Sequence, residues 1–119
     1  MAAADDTLAF EEETIAERGI VVLRLAGNIS AKTFEALEAR IKGIFERGIY
    51  KIIIDLSLVG YVSSSAAGVF MNALSEAHDH QGHIVLMSPT QKVREVLELL
   101  NLTGVFKLAD GREAALANF

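Results

Sequence analysis

The sequence predicts a single α/β domain, residues 1–119 with a core of about 7–117, built on a mixed but mostly parallel sheet with helices packed against it. The expected order is β-β-α-β-α-β-α-β-α. Three observations lead there. From residue 30 onward, stretches with apolar residues three and four apart alternate with short β-branched runs, the pattern of strand–helix–strand units. Lys51-Ile52-Ile53-Ile54-Asp55-Leu56 has four apolar residues within six, as expected of a central strand covered on both faces. Ahead of these stand two strand-like segments separated by Glu17-Arg18-Gly19, so a hairpin opens the chain and adds an antiparallel edge.

Each element has its own signal. Residues 8–16 alternate loosely and read as an edge strand; residues 20–26 are β-branched and apolar and read as a strand ended by Gly27-Asn28. Ser30 is placed to cap a helix over 31–47, where Phe34, Leu37, Ile41, Ile44 and Phe45 form one apolar stripe and Gly48 is a stop. After the strand at 51–56, residues 58–62 read as a connector that is unusually apolar. Ser63-Ser64-Ser65 opens a second helix running to about Asp79, with Val69, Phe70, Ala73, Leu74 and Ala77 inward. A strand at His83–Met87 follows. Ser88-Pro89-Thr90 starts a third helix with Val93, Val96, Leu97 and Leu100 on one face, and the chain closes with a strand at 105–108 and a short helix at 111–118.

Composition removes several function classes. The chain has no Cys, which excludes disulfides, thiolate chemistry and Cys-based metal sites. Its net charge of −5 argues against a basic groove for direct binding to nucleic acid. No apolar run approaches the roughly 20 residues that span a bilayer, and Met1–Asp6 lacks the basic and apolar regions of a signal peptide, so a cytoplasmic protein is expected. Neither G-x-x-x-x-G-K-[ST], G-x-G-x-x-G nor G-x-S-x-G occurs, which counts against nucleotide hydrolysis, dinucleotide binding and serine-hydrolase chemistry. No catalytic residue, metal site or cofactor is expected. His78, His80 and His83 are close in sequence but do not align on one helix face, and a polar helix end explains them better than a metal. Glu11-Glu12-Glu13 reads as a solvated edge strand whose charges discourage edge pairing.

The serine run is the feature that asks for a function. A helix start leaves its first N–H groups without partners, and one serine can cap them. Capping does not account for Ser63, Ser64 and Ser65 in succession, followed by the small Ala66, Ala67 and Gly68. Small residues there let another molecule approach closely, at the carboxyl edge of the sheet where α/β folds bind ligands. The position also suits a phosphoserine. A phosphate adds about −1.5 to −2 charges, which the helix start tolerates. A partner across the patch would have to desolvate that charge, and even ~3 kcal/mol is more than a hundredfold in affinity.

Three segments then resemble the STAS domain family, and within it the anti-sigma factor antagonists, from about Thr7 to Leu116. Leu25-Ala26-Gly27-Asn28-Ile29-Ser30 is similar to a first signature L-x-G-x-[LI]-D. Ile53-Ile54-Asp55-Leu56-Ser57, with Tyr61-Val62-Ser63-Ser64-Ser65-Ala66-Ala67-Gly68, resembles the central D-L-S…D-S-[ST]-G-[LA]-G. Ser88-Pro89, Val93–Leu100, Leu102, Thr103, Gly104 and Phe106 resemble the tail. The resemblance implies a non-enzymatic antagonist that binds an anti-sigma factor which is also a serine kinase. It implies inactivation by phosphorylation at the position of Ser64, with Ser65 beside it, and reversal by a serine phosphatase. Ser30, Ser63, Ser64, Ser65, Ala66, Ala67 and Gly68 would form the partner surface. Ser63 and Ser30 stand where the family has Asp, and Ala66 where it has Gly. These departures keep open a STAS subunit of another assembly, such as a signalling scaffold or the cytoplasmic subunit of a lipid-transport ATPase, without phosphorylation.

Overall fold

The computed structural model describes residues 7–119; the reading of Met1–Asp6 as free of a signal peptide lies outside the described residues. Five strands, β1 (Leu8–Ile15), β2 (Ile20–Ile29), β3 (Lys51–Val62), β4 (His83–Met87) and β5 (Lys107–Ala109), form one sheet in the order β1-β2-β3-β4-β5. β1 and β2 are antiparallel, and the other neighbours are parallel. Helices α1 (Phe34–Glu46), α2 (Ser65–Asp79) and α3 (Gln91–Leu99) make the crossovers, and α4 (Arg112–Leu116) follows β5. The element order and the mixed sheet with an antiparallel edge are as the sequence predicts.

The helices cover the two faces of the sheet unequally. Leu37, Ile41, Ile44 and Phe45 of α1, Val69, Phe70 and Leu74 of α2, and Val93 and Leu97 of α3 share one core with Val21, Leu23, Leu25, Ile52, Ile54, Ile84 and Leu86. The opposite face holds a smaller cluster, where Ala115 and Leu116 of α4 and the terminal Phe119 cover Ile20, Val22, Ile53, Val85, Met87 and Ala109. Residues alternate between the two clusters along β2, β3 and β4, as a pleated strand requires. Gly82 sets the approach of β4 to β3: a Cβ there would lie 2.0 Å from the Tyr50 carbonyl oxygen, and the next N–H, of His83, donates to that same oxygen at 2.9 Å.

Boundaries differ from the sequence reading in places that have physical causes. β2 runs through Gly27-Asn28 to Ile29, because Gly27 takes a φ of +124° and keeps the ladder going. Residues 58–62 are strand, not connector. Between the pairs Arg24–Asp55 and Ala26–Leu58 the ladder takes two steps on β2 and three on β3, and between Gly27–Val59 and Asn28–Tyr61 it takes one step on β2 and two on β3. These are two β-bulges, each with one extra residue on β3. They explain how Leu56, Val59 and Val62, spaced by three, all face the core. α1 begins at Phe34, not Ala31, after a turn over 30–33. The last strand is confined to 107–109 and the last helix to 112–116. α3 starts as expected, with the Thr90 hydroxyl accepting from the Val93 N–H.

Candidate functional site

The carboxyl edges of β2 and β3 bring the two serine segments together. Ile29 and Val62 are partners on the ladder, and the Ser63 N–H donates to the Ile29 carbonyl at 2.7 Å. Ser30 and Ser63, far apart in sequence, therefore leave adjacent strand ends.

The Ser30 side is a closed hydrogen-bonded turn. The Ser30 N–H donates to Thr33 Oγ1 at 2.8 Å, the Lys32 N–H donates to Ser30 Oγ at 3.2 Å, and Thr33 Oγ1 donates to the Asn28 carbonyl at 2.7 Å. This is the reciprocal geometry of a capping box, with Thr33 in the reach-back role. Ser30 thus caps a turn that leads into α1, a correction to its expected role as the cap of the helix itself. Buried Thr33 was missed by the sequence reading, although the spacing Ser30-x-x-Thr33 is its signal.

The Ser63–Gly68 side divides into buried and exposed halves. Ser63 is 9% exposed, and its Oγ is buried with no hydrogen-bond partner. Ala66 is fully buried. Ser64 is exposed, lies at φ −63° and ψ −24°, and its hydroxyl makes no cap hydrogen bond. The first N–H groups of α2 reach back to main-chain oxygens instead: Ala66 to Ser63 at 3.1 Å and Ala67 to Ser64 at 3.1 Å. Ser65 and Ala67 are half-buried, and Gly68 is exposed with open space where a Cβ would stand. Ser64 therefore presents a hydroxyl that the fold does not use, beside a glycine that obstructs nothing. The first turn of α2 carries no acidic residue.

A buried carboxylate supports the site from behind. Asp55 of β3 is 3% exposed and pairs with Arg24 Nε at 3.0 Å, while its other oxygen accepts the Ser57 N–H at 2.9 Å. Burial pushes its carboxyl upward, but the Ser57 and Arg24 contacts outweigh this and hold it below the ordinary carboxylate range. The pair flanks the first bulge of β3 and fixes the strand where it changes register. A contact across 31 residues of chain left no local sequence signal.

The remaining charged candidates are engaged in structure. Glu11 pairs with Arg24, Glu12 with both Arg40 and Arg47, and Glu13 with Arg112. The glutamate run lies on the edge strand as expected, with Glu11 and Glu13 largely exposed and Glu12 partly buried between Arg40 and Arg47. His78 Nε2 lies 3.2 Å from His83 Nδ1, and the His80 ring stacks on Tyr50. Among the described residues no group of three or more His, Cys, Asp or Glu converges to hold a metal. Nor is any helix among them long and apolar enough to cross a membrane.

Comparison with known proteins identifies the family and the fold. Residues 13–115 match the STAS domain model. The chain belongs to the STAS domain family. BtrV of Bordetella bronchiseptica, assigned as an anti-sigma factor antagonist, is 31% identical over 101 residues, covering 85% of this chain and 87% of that protein. The anti-sigma F factor antagonist of Lysinibacillus sphaericus is 28% identical, covering 71% of this chain and 74% of its own. The structure of the anti-sigma factor antagonist SpoIIAA in its unphosphorylated form superposes with a TM-score of 0.78 at 25% identity, over 92% of this STAS chain and 95% of that one. SpoIIAA from Bacillus in its phosphorylated form also matches, with a TM-score of 0.69 at 25% identity over 92% and 98% of the two chains.

Proposed function

We propose that this STAS protein is an anti-sigma factor antagonist: a non-enzymatic cytoplasmic switch that binds an anti-sigma factor with serine-kinase activity and is released when Ser64 is phosphorylated. The observation that carries the reading is the Ser64 hydroxyl, exposed at the start of α2 and free of any capping bond. A phosphate can be added there without removing a contact from the fold, and the α2 start stabilises its charge. The same charge faces whatever docks on Ser64, Ser65, Ala67 and Gly68, so binding is lost while the domain stays folded. The names of its relatives support the class of partner. A serine phosphatase would restore the binding state.

The test is to incubate the purified protein with a candidate anti-sigma kinase and ATP and to read the intact mass. One added phosphate is expected in the wild type and none in Ser64→Ala; a phosphate that persists in Ser64→Ala moves the assignment to Ser65. Ser64→Asp should fold normally yet bind the anti-sigma factor more weakly, and equal affinity would contradict the switch. A second reading, a STAS subunit of another assembly without phosphorylation, is favoured by one specific observation. Ser30 and Ser63 stand where the family carries acids, and Ser63 is buried. A pull-down that returns a transporter ATPase and no kinase decides for it.

A further inference from the structure

From Leu56 to Ser75 the chain contains no charged residue and no histidine. Burial alone does not account for this, because Leu58, Gly60, Tyr61, Ser64, Gly68 and Met71 are all exposed. The exposed face of α1 shows what the rest of the surface is like: Glu35, Glu38, Arg40, Lys42 and Glu46 all point to solvent.

The two bulges of β3 give this run a shape. Leu58 and Tyr61 pair with Ala26 and Asn28, and the ladder position between them, Gly27–Val59, turns Val59 into the core. Leu58 and Tyr61 therefore emerge together on the outer face of the sheet, at 59% and 46% exposure. Neither belongs to the cluster under α4, which covers a different part of that face. Ala9 and Ala26 border Leu58 there and leave a shallow groove, closed at one end by the ion-paired Glu11 and Arg24. Tyr61 lies close in sequence to Ser64, at the same edge of the sheet.

We infer that the anti-sigma factor's footprint continues from Ser64 over the sheet edge onto Leu58 and Tyr61, and that the surface it presents there is apolar and uncharged. This rests on the antagonist reading above. Interface centres are depleted in charge and enriched in aromatic residues and Met, and a Tyr with an apolar neighbour is a typical anchor. A partner that carried a charge into this region would meet Glu11 and Arg24 already paired with each other, and would desolvate its own charge for little return. Salt screens exposed charge pairs strongly and apolar contacts little, so the chemistry has a direct signature.

The experiment measures the affinity of the candidate anti-sigma kinase used in the phosphorylation test for wild type, Leu58→Glu, Tyr61→Glu and a control, Leu99→Glu, which alters an apolar residue exposed at the end of α3. Leu58→Ser and Tyr61→Ser serve if a Glu variant fails to fold. The two β3 variants should bind about tenfold or more weakly with unchanged melting temperature, and the control should bind as wild type. Raising salt from about 0.05 M to about 0.5 M should change wild-type affinity by less than about threefold. Undiminished binding by both β3 variants, or steep salt dependence, overturns this inference and leaves the antagonist reading standing. A sedimentation result in which the free protein dimerises through Leu58 and Tyr61 also overturns it, since a second copy is then the occupant. If no anti-sigma factor binds at all, both readings fall.

Discussion

Replacing Ser63 with alanine should stabilise the domain, contrary to the usual expectation for a serine at a helix start. Two terms compete. Loss of a capping serine costs typically about 1 kcal/mol. Burying a hydroxyl without a hydrogen bond costs about 1–3 kcal/mol by mutational measures. Here the first term is absent, because the α2 N–H groups reach back to main-chain oxygens and the Ser63 hydroxyl receives none of them. The second applies in full to a residue only 9% exposed. Removing the oxygen also removes a little packing, so a net gain of about 1 kcal/mol is expected. At about 2.1 cal/mol/K of unfolding entropy per residue, the domain has about 0.25 kcal/mol/K, and the gain raises the melting temperature by about 4 °C. Thermal and urea melts followed by circular dichroism measure both quantities, and the urea slope should not change. A fall in melting temperature of similar size would show that the hydroxyl has a partner, and the argument from its isolation would fail.

Other outcomes follow from contacts elsewhere in the domain. Asp55 and Glu12 are both held below the ordinary carboxylate range, Asp55 against burial by Ser57 and Arg24, and Glu12 chiefly by Arg47 with Arg40. Their contribution is full above an unfolded pKa of about 4 and is lost as pH falls through their lower folded values; melting temperature measured from neutral to acid pH should drop in that window, and less so in Asp55→Asn. Gly82→Ala drives a Cβ against the Tyr50 carbonyl, a backbone atom that cannot step aside, and should cost about 3 kcal/mol or more, read as a large fall in urea midpoint. Ser64→Ala removes a hydroxyl that caps nothing, and its stability should match wild type within about 0.5 kcal/mol in the same melts.

Regular periodicity made most of this fold legible. The 3.6-residue stripe of α1 and α2 and the unbroken apolar run of β3 translated directly into layers. What was not legible depended on irregularity or on distance along the chain. Leu56, Val59 and Val62 recur every three residues, which no regular strand supports, so the bulged half of β3 read as a loop. Gly27 looked like a terminator because glycine usually is one; here its positive φ continues the ladder. The site was half legible. The sequence singles out the serine run, but only the structure separates the buried, unpartnered Ser63 from the exposed Ser64. The Arg24–Asp55 pair that braces the first bulge joins two strands through tertiary register, and nothing local in either segment announces it.

Under the proposed switch, that separation of neighbouring serines would let one position change charge without endangering the fold. Ser63 and Ala66 face inward and connect α2 to the core, and Ser63 is held through its N–H on Ile29 and its carbonyl on Ala66. Ser64 contributes the helix start with its backbone alone. A group of about −2 charge placed on it meets helix N–H dipoles and no acidic side chain in the first turn of α2. Under the proposed switch the fold therefore carries the added charge at little internal cost, and the docking partner registers nearly all of the change.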